Sequence, residues 1–314
     1  MLAVSGLNDA PLFTLQEQSL PMFSGSIPAL VTPLDQHGDF VESAYRELVE
    51  WQIAEGSAAL LPCGTTGEAA TLTKDEQFAI VRVCVDQARG RVPVIAGAGS
   101  NDTRVAAGNL IAAKEAGADA ALMVPPYYNR PSQEGIFQHF ATLAPTSPLP
   151  IVLYNVPGRT VTDIQPSTLA RIVNAFPKVF VAVKDASGVL QRVSEHRALV
   201  GTDFCQLSGN DDMALGYNAT GGVGCISVSA NVAPRLCADF QAACAAGDYV
   251  LARDLNDRLF ALHVALFTDA SPGPVKYAMT KVRPGFPDGL RLPMTWPSEP
   301  SRAAVDAGLA AAGL

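Results

Sequence analysis

The feature that most narrows what this chain can fold into is a regular alternation. From about residue 26, short apolar stretches of β character recur: Ser26–Val31, Ala58–Pro62, Val92–Gly97, Ala120–Val124, Pro150–Tyr154, Val179–Lys184, Phe204–Ser208 and Gly222–Ser227. Between them lie segments of helical period, near Val41–Ala54, Thr73–Ala88, Thr103–Ala116, Gln133–Leu143, Ser167–Ala175 and Val189–Val200. In the second of these, Ile80, Val81, Cys84, Val85 and Ala88 share one face, and Thr73 with Glu76 has the spacing of a capping box. Eight such strand candidates, too apolar for a sheet with one wet face, predict an α/β fold: a (β/α)8 TIM barrel. A doubly wound nucleotide fold is the rival, but Gly97-Ala98-Gly99-Ser100-Asn101-Asp102 lacks the last glycine of the dinucleotide fingerprint. Beyond about Asn231 the sequence reads as helix, interrupted near Ser271–Pro274 and Pro284–Pro287. The expected division is an N-terminal extension (1–21), a barrel domain (22–246) and a C-terminal helical domain (247–314).

Composition excludes several function classes. A formal charge of −8 with no basic stripe argues against a nucleic-acid binder. No stretch approaches the roughly 18–20 continuous apolar residues of a membrane span. The first 21 residues lack the basic start and apolar core of a signal peptide, so a cytoplasmic location is expected. Cys63, Cys84, Cys205, Cys225, Cys237 and Cys244 lie mostly in apolar segments without a CxxC pair, which reads as buried reduced thiols. His37, His139, His196 and His263 are scattered, and nothing in the chain calls for a metal or an organic cofactor.

In a barrel the chemistry collects where strands end. The sixth stretch, Val179-Phe180-Val181-Ala182-Val183, terminates in Lys184, an ammonium where the surroundings should be dry. At an ordinary pKa of about 10.4 almost none of this amine is neutral at pH 7, so burial or a nearby cation would make it a better nucleophile toward a carbonyl. Gly64-Thr65-Thr66-Gly67-Glu68 follows the second stretch and offers hydroxyls and backbone N–H groups to a small carboxylate, with Glu68 holding the loop in shape. Tyr127 and Tyr128 follow the fourth stretch. Tyr154 ends the fifth, and Arg159 follows in what reads as a Pro-Gly turn. Single tyrosines are usually packing groups, yet a phenol at a strand end is placed for proton transfer, and a guanidinium fork fits a carboxylate. Asp211 and Asp212 read as helix caps. Lysine, tyrosines, threonines and arginine at successive strand ends are the parts of a Schiff-base aldolase.

At these motifs the chain resembles the dihydrodipicolinate synthase (4-hydroxy-tetrahydrodipicolinate synthase) family, within the superfamily of pyruvate-dependent aldolases that includes N-acetylneuraminate lyase. The likeness spans Met22 to Leu314 and rests on the Gly64–Glu68 loop, Pro126–Gly135, Tyr154–Thr160, Val183–Gly188, Pro274-Val275-Lys276 and Arg291–Thr295. It implies a lyase of the lysine and diaminopimelate pathway that joins pyruvate to L-aspartate 4-semialdehyde and needs no cofactor. Lys184 would form the Schiff base. Tyr154 would move protons in a relay with Thr65 and with Tyr128 of a neighbouring subunit. Thr66 and the backbone at Ile226 would bind pyruvate, and Arg159 the carboxylate of the semialdehyde. The family pattern implies a homotetramer, a dimer of dimers. Lys74, Gln77 and Val105 stand where the enterobacterial lysine-feedback pocket has two histidines and a glutamate, implying weak inhibition by L-lysine. Two other readings remain: a related aldolase cleaving a sugar acid or another keto acid, and a non-catalytic paralogue that keeps the fold to bind a ligand.

Overall fold

The computed structural model describes residues 23–314; the expected extension over 1–21 lies outside the described residues. The strands form one parallel sheet in the order β1 (Gly25–Pro28), β7 (Gly224–Ser227), β6 (Cys205–Ser208), β5 (Phe180–Asp185), β4 (Ile151–Asn155), β3 (Ala120–Met123), β2 (Ile95–Gly97). Helices alternate with the strands: α1 (Glu42–Ala54), α2 (Lys74–Ala88), α3 (Thr103–Glu115), α4 (Gln133–Leu143), α5 (Pro157–Thr160), α6 (Pro166–Ala175), α7 (Arg192–Val200), α8 (Ala214–Ala219) and α9 (Pro234–Ala245). Then come α10 (Tyr249–Ala265), α11 (Gly273–Val282) and α12 (Glu299–Ala312). The capping box of α2 is present, with Thr73 and Glu76 exchanging bonds as their spacing predicts.

One expected strand is missing as a ladder. The stretch 58–62 makes only isolated parallel bridges, Leu61 to Ala29 on one side and Leu60 to Val94 on the other. It is nevertheless hydrogen-bonded to both outer strands, Ala58 N–H to Ser26 O at 2.8 Å and Ile95 N–H to Leu60 O at 2.8 Å. Pro28, Pro62 and Pro93 fall within these pairings, and each removes a donor, which thins the ladders to single bridges. The sheet is thus seven-stranded among the described residues, with residues 58–62 spanning its two edges. The approach is close. A Cβ on Gly97 would sit 2.0 Å from Cys63 O, so this glycine serves backbone contact rather than phosphate binding.

Two apolar layers follow from the period of two along each strand. Ile27, Leu61, Ile95, Leu122, Val152, Ala182 and Ile226 form the inner cluster, while Leu60, Met123, Leu153 and Val183 face the helices; Phe180 joins the helix-facing set because the β4–β5 register shifts between Ile151 and Val152 and breaks the alternation before Ala182. Tyr154 falls in the inner set with Val152, and the same alternation puts Lys184 on the face of Ala182. At the chain's end α10 packs on α12. Gly308 allows the crossing, since a Cβ there would lie 2.9 Å from Leu262 Cα. No helix among the described residues is long and apolar enough to cross a membrane.

Candidate active site

Parallel registry brings the key pair together. Tyr154 on β4 lies directly opposite Lys184 on β5, and Lys184 Nζ sits over the phenol ring, 4.2 Å from its centroid. Both side chains are buried, Lys184 being 5% exposed. Among the described residues no carboxylate pairs with this ammonium; what faces it is an aromatic ring, a far weaker stabiliser of charge than an anion. Its charge is also felt by Cys225 on β7. Burial and Asp211 push that thiol well up, and Lys184 opposes them. Asp185, the next residue, turns away to accept Ser187 N–H at 2.9 Å.

A second buried lysine shows the contrast. Lys276 on α11 is fully buried, and Nζ donates to Glu68 Oε1 and to Gly289 O, both at 2.5 Å. Burial pushes its pKa down while Glu68 opposes the shift. Lys281 is half exposed, 3.8 Å from Asp306. Lys276 is therefore neutralised in place, and Lys184 is the buried amine left without an anion.

The Glu68 end of that pair shapes the Gly64–Glu68 loop, as its sequence suggests. Glu68 Oε2 accepts Arg291 N–H, and Thr32 Oγ1 donates to Gly67 O at 2.7 Å. The Arg291 guanidinium bonds Gly38 O, Thr71 O and the Glu76 carboxylate, which it holds down at about 2. On this braced loop Thr66 is buried and Thr65 exposed. Thr65, Tyr154 and Arg159 line one cleft of about 500 Å³, which extends along Gln77 and Asn109 to Lys74. No acidic residue is among the described residues that line it.

Thr66, Lys184 and Ile226 are buried and stand outside that wall, with Lys184 reaching it through the Tyr154 ring. Ile226 is fully buried on β7. Arg159 is exposed and lies on the four-residue helix α5 rather than in an open Pro-Gly turn. Tyr128 is not gathered into the site of its own chain. It is 90% exposed, with its backbone in the left-handed region at φ 70°. Asp211 does not cap its own helix. It accepts Ser227 Oγ at 2.5 Å and Val228 N–H at 2.8 Å, so it serves the turn after β7. All six cysteines are free and buried, with Cys84 and Cys205 pushed up to about 12 by burial. The described residues hold no cluster of three metal-ligating side chains.

Among the ion pairs that sequence reasoning missed are Lys276 with Glu68, Arg192 with Asp163 and Arg291 with Glu76. The first joins positions separated by 208 residues, and only its unusually apolar setting, Pro274-Val275-Lys276, hinted at burial.

The fold and site define a parallel α/β protein built around a buried, unpaired lysine at a strand end. Residues 22–312 match the Dihydrodipicolinate synthetase family. A protein of Rhizorhabdus wittichii named 4-hydroxy-tetrahydrodipicolinate synthase is 64% identical over 93% of this chain and 100% of its own length. One of the same name from Novosphingobium aromaticivorans is 61% identical over 93% of this chain and 99% of its own. The crystal structure of a chloride-inhibited dihydrodipicolinate synthase from Acinetobacter baumannii, complexed with pyruvate, superposes with a TM-score of 0.89 at 40% identity, covering 92% of this chain and 99% of that one. The chain belongs to the dihydrodipicolinate synthetase family.

Proposed function

We propose that this chain condenses pyruvate with L-aspartate 4-semialdehyde to 4-hydroxy-tetrahydrodipicolinate, in the biosynthesis of lysine and diaminopimelate, through a Schiff base on Lys184. The observation that carries this reading is Lys184 itself: buried, unpaired, and over the Tyr154 ring at 4.2 Å, while Lys276 is held by Glu68. The names and identities of the relatives support the same reaction over other pyruvate aldolases.

The Lys184 amine adds to the ketone of pyruvate, and loss of water leaves an iminium. That group draws electrons from the neighbouring methyl, whose proton departs to give an enamine. The enamine carbon attacks the aldehyde of the second substrate, whose own amine then closes the ring and displaces Lys184. Protons move at several of these steps, which suits Tyr154 working in a relay with Thr65 on the same cleft wall. Thr66 holds the pyruvate carboxylate, and the backbone at Ile226 also contacts pyruvate. Arg159 takes the carboxylate of the semialdehyde through a charge-assisted fork.

The same reading extends to architecture. Residues 58–62, hydrogen-bonded on both sides, act as the eighth strand of a (β/α)8 barrel over 22–246, followed by a helical extension over 247–314. An exposed tyrosine with a constrained backbone suits donation across an interface, so Tyr128 completes the relay of a partner subunit in a homotetramer, a dimer of dimers, working in the cytoplasm.

Trapping tests the proposal. Pyruvate and borohydride should add one reduced pyruvate to the wild type, on the peptide that holds Lys184, and nothing to Lys184→Ala. An unmodified wild type would refute catalysis through this amine. Condensation of pyruvate with aspartate semialdehyde should proceed, and cleavage of N-acetylneuraminate should not; the reverse would assign the chain to another aldolase.

A further inference from the structure

Arg159 reaches the cleft from a long excursion, residues 156–165, between β4 and α6, and a loop so placed needs bracing to hold a guanidinium steady. The bracing converges on one carboxylate. Asp163 Oδ1 accepts Asn155 Nδ2 at 2.9 Å and Arg192 Nη1 at 2.7 Å, while Oδ2 accepts Arg192 Nη2 at 2.6 Å and Gln165 Nε2 at 2.8 Å. Burial would raise the pKa of Asp163, but the Arg192 fork and the Asn155 amide outweigh it and hold the group below its ordinary value. Arg192 is only 8% exposed and opens α7, the helix that follows β5 and Lys184. Asn155 adjoins Tyr154, pairs in register with Asp185, and accepts Ile164 N–H at 2.9 Å. Gln133 Nε2 donates to Asp163 O at 2.7 Å, and Thr162 Oγ1 donates to Pro126 O at 2.9 Å. Every strut but one has an uncharged donor. The exception is a bidentate ion pair, and it ties the segment carrying Arg159 to the element that follows the strand of Lys184.

We infer that Asp163 and Arg192 are a positioning pair that sets where Arg159 stands relative to Lys184, and so sets selectivity for a second substrate bearing a carboxylate. This rests on the function proposed above and extends it to residues that touch neither substrate. A planar fork fixes orientation as well as distance, so a lysine at 192 would keep the charge and lose the alignment. Pyruvate capture by Lys184 does not depend on Arg159 and is untouched by the pair.

The test is a kinetic cycle on the full-length enzyme. Arg192→Met should raise KM for aspartate semialdehyde on the order of tenfold, as loss of a coupling worth about 1.4 kcal/mol requires. KM for pyruvate and the borohydride-trapped adduct should stay as in wild type. Arg192→Lys should recover only part of the loss, and Asp163→Asn should reproduce it, which keeps the inference testable if Arg192→Met folds poorly. In an Arg159→Gln background, adding Arg192→Met should change the semialdehyde KM little, because the group being positioned is already gone. Full additivity, or equal rises in both KM values, would show a general structural role and overturn the inference. Failure of the wild type to trap pyruvate would instead strike the underlying function.

Discussion

Lys276→Met would leave Glu68 as a carboxylate with 1% side-chain exposure, no cation at Oε1, and only Arg291 N–H at Oε2. Removing one partner of a buried pair costs about 3–5 kcal/mol. Urea denaturation at pH 7 reads this loss directly. The double variant Lys276→Met/Glu68→Gln should regain most of the stability at pH 7, since an uncharged amide no longer needs the ammonium and can still accept from Arg291. A single variant within about 1 kcal/mol of wild type, or a double variant as poor as the summed singles, would refute the argument. Lys276→Met should also still trap pyruvate; loss of the adduct in a folded variant would move the nucleophile away from Lys184.

Tyr154→Phe keeps the ring under Lys184 but removes the proton carrier; kcat should fall about 10²–10⁴-fold while slow pyruvate trapping persists. Unchanged kcat would remove Tyr154 from the relay. Burial holds His139 down to about 4 and keeps His196 and His263 below their usual value. The unfolded chain therefore binds protons below about pH 6.5 that the native state refuses, and stability should drop as pH falls from there toward 4. Melting curves over that range should show it, with a smaller drop in His139→Gln; equal drops would clear His139. Submillimolar L-lysine should leave turnover nearly unchanged, because the cleft near Lys74 carries a cation and no acidic lining residue for an incoming ammonium. Strong inhibition in a steady-state assay would overturn that reading.

Much of the fold was legible because the cues are local. The α2 capping box needs only Thr73 and Glu76 three residues apart, and most strands were readable as apolar runs between turn residues. The stretch 58–62 misled only as to how fully it pairs, for an equally physical reason. Its composition is that of a strand, but the prolines that thin its ladders lie partly on its neighbours, at 28 and 93. Asp211 misled likewise. Its position suggested a cap on the following helix, whereas its acceptors are used by the turn after β7.

The sequence by itself determined the alternation of strand and helix, the inward-facing positions, and the chemical types waiting at each strand end, because period and capping depend on residues a few places apart. It did not show which buried lysine has an anion set against it. Lys184 and Lys276 both stand in apolar surroundings, and what separates them is a carboxylate 208 residues from one and absent from reach of the other among the described residues. That choice belongs to tertiary structure, since the cost of a buried charge is set by what the fold places against it.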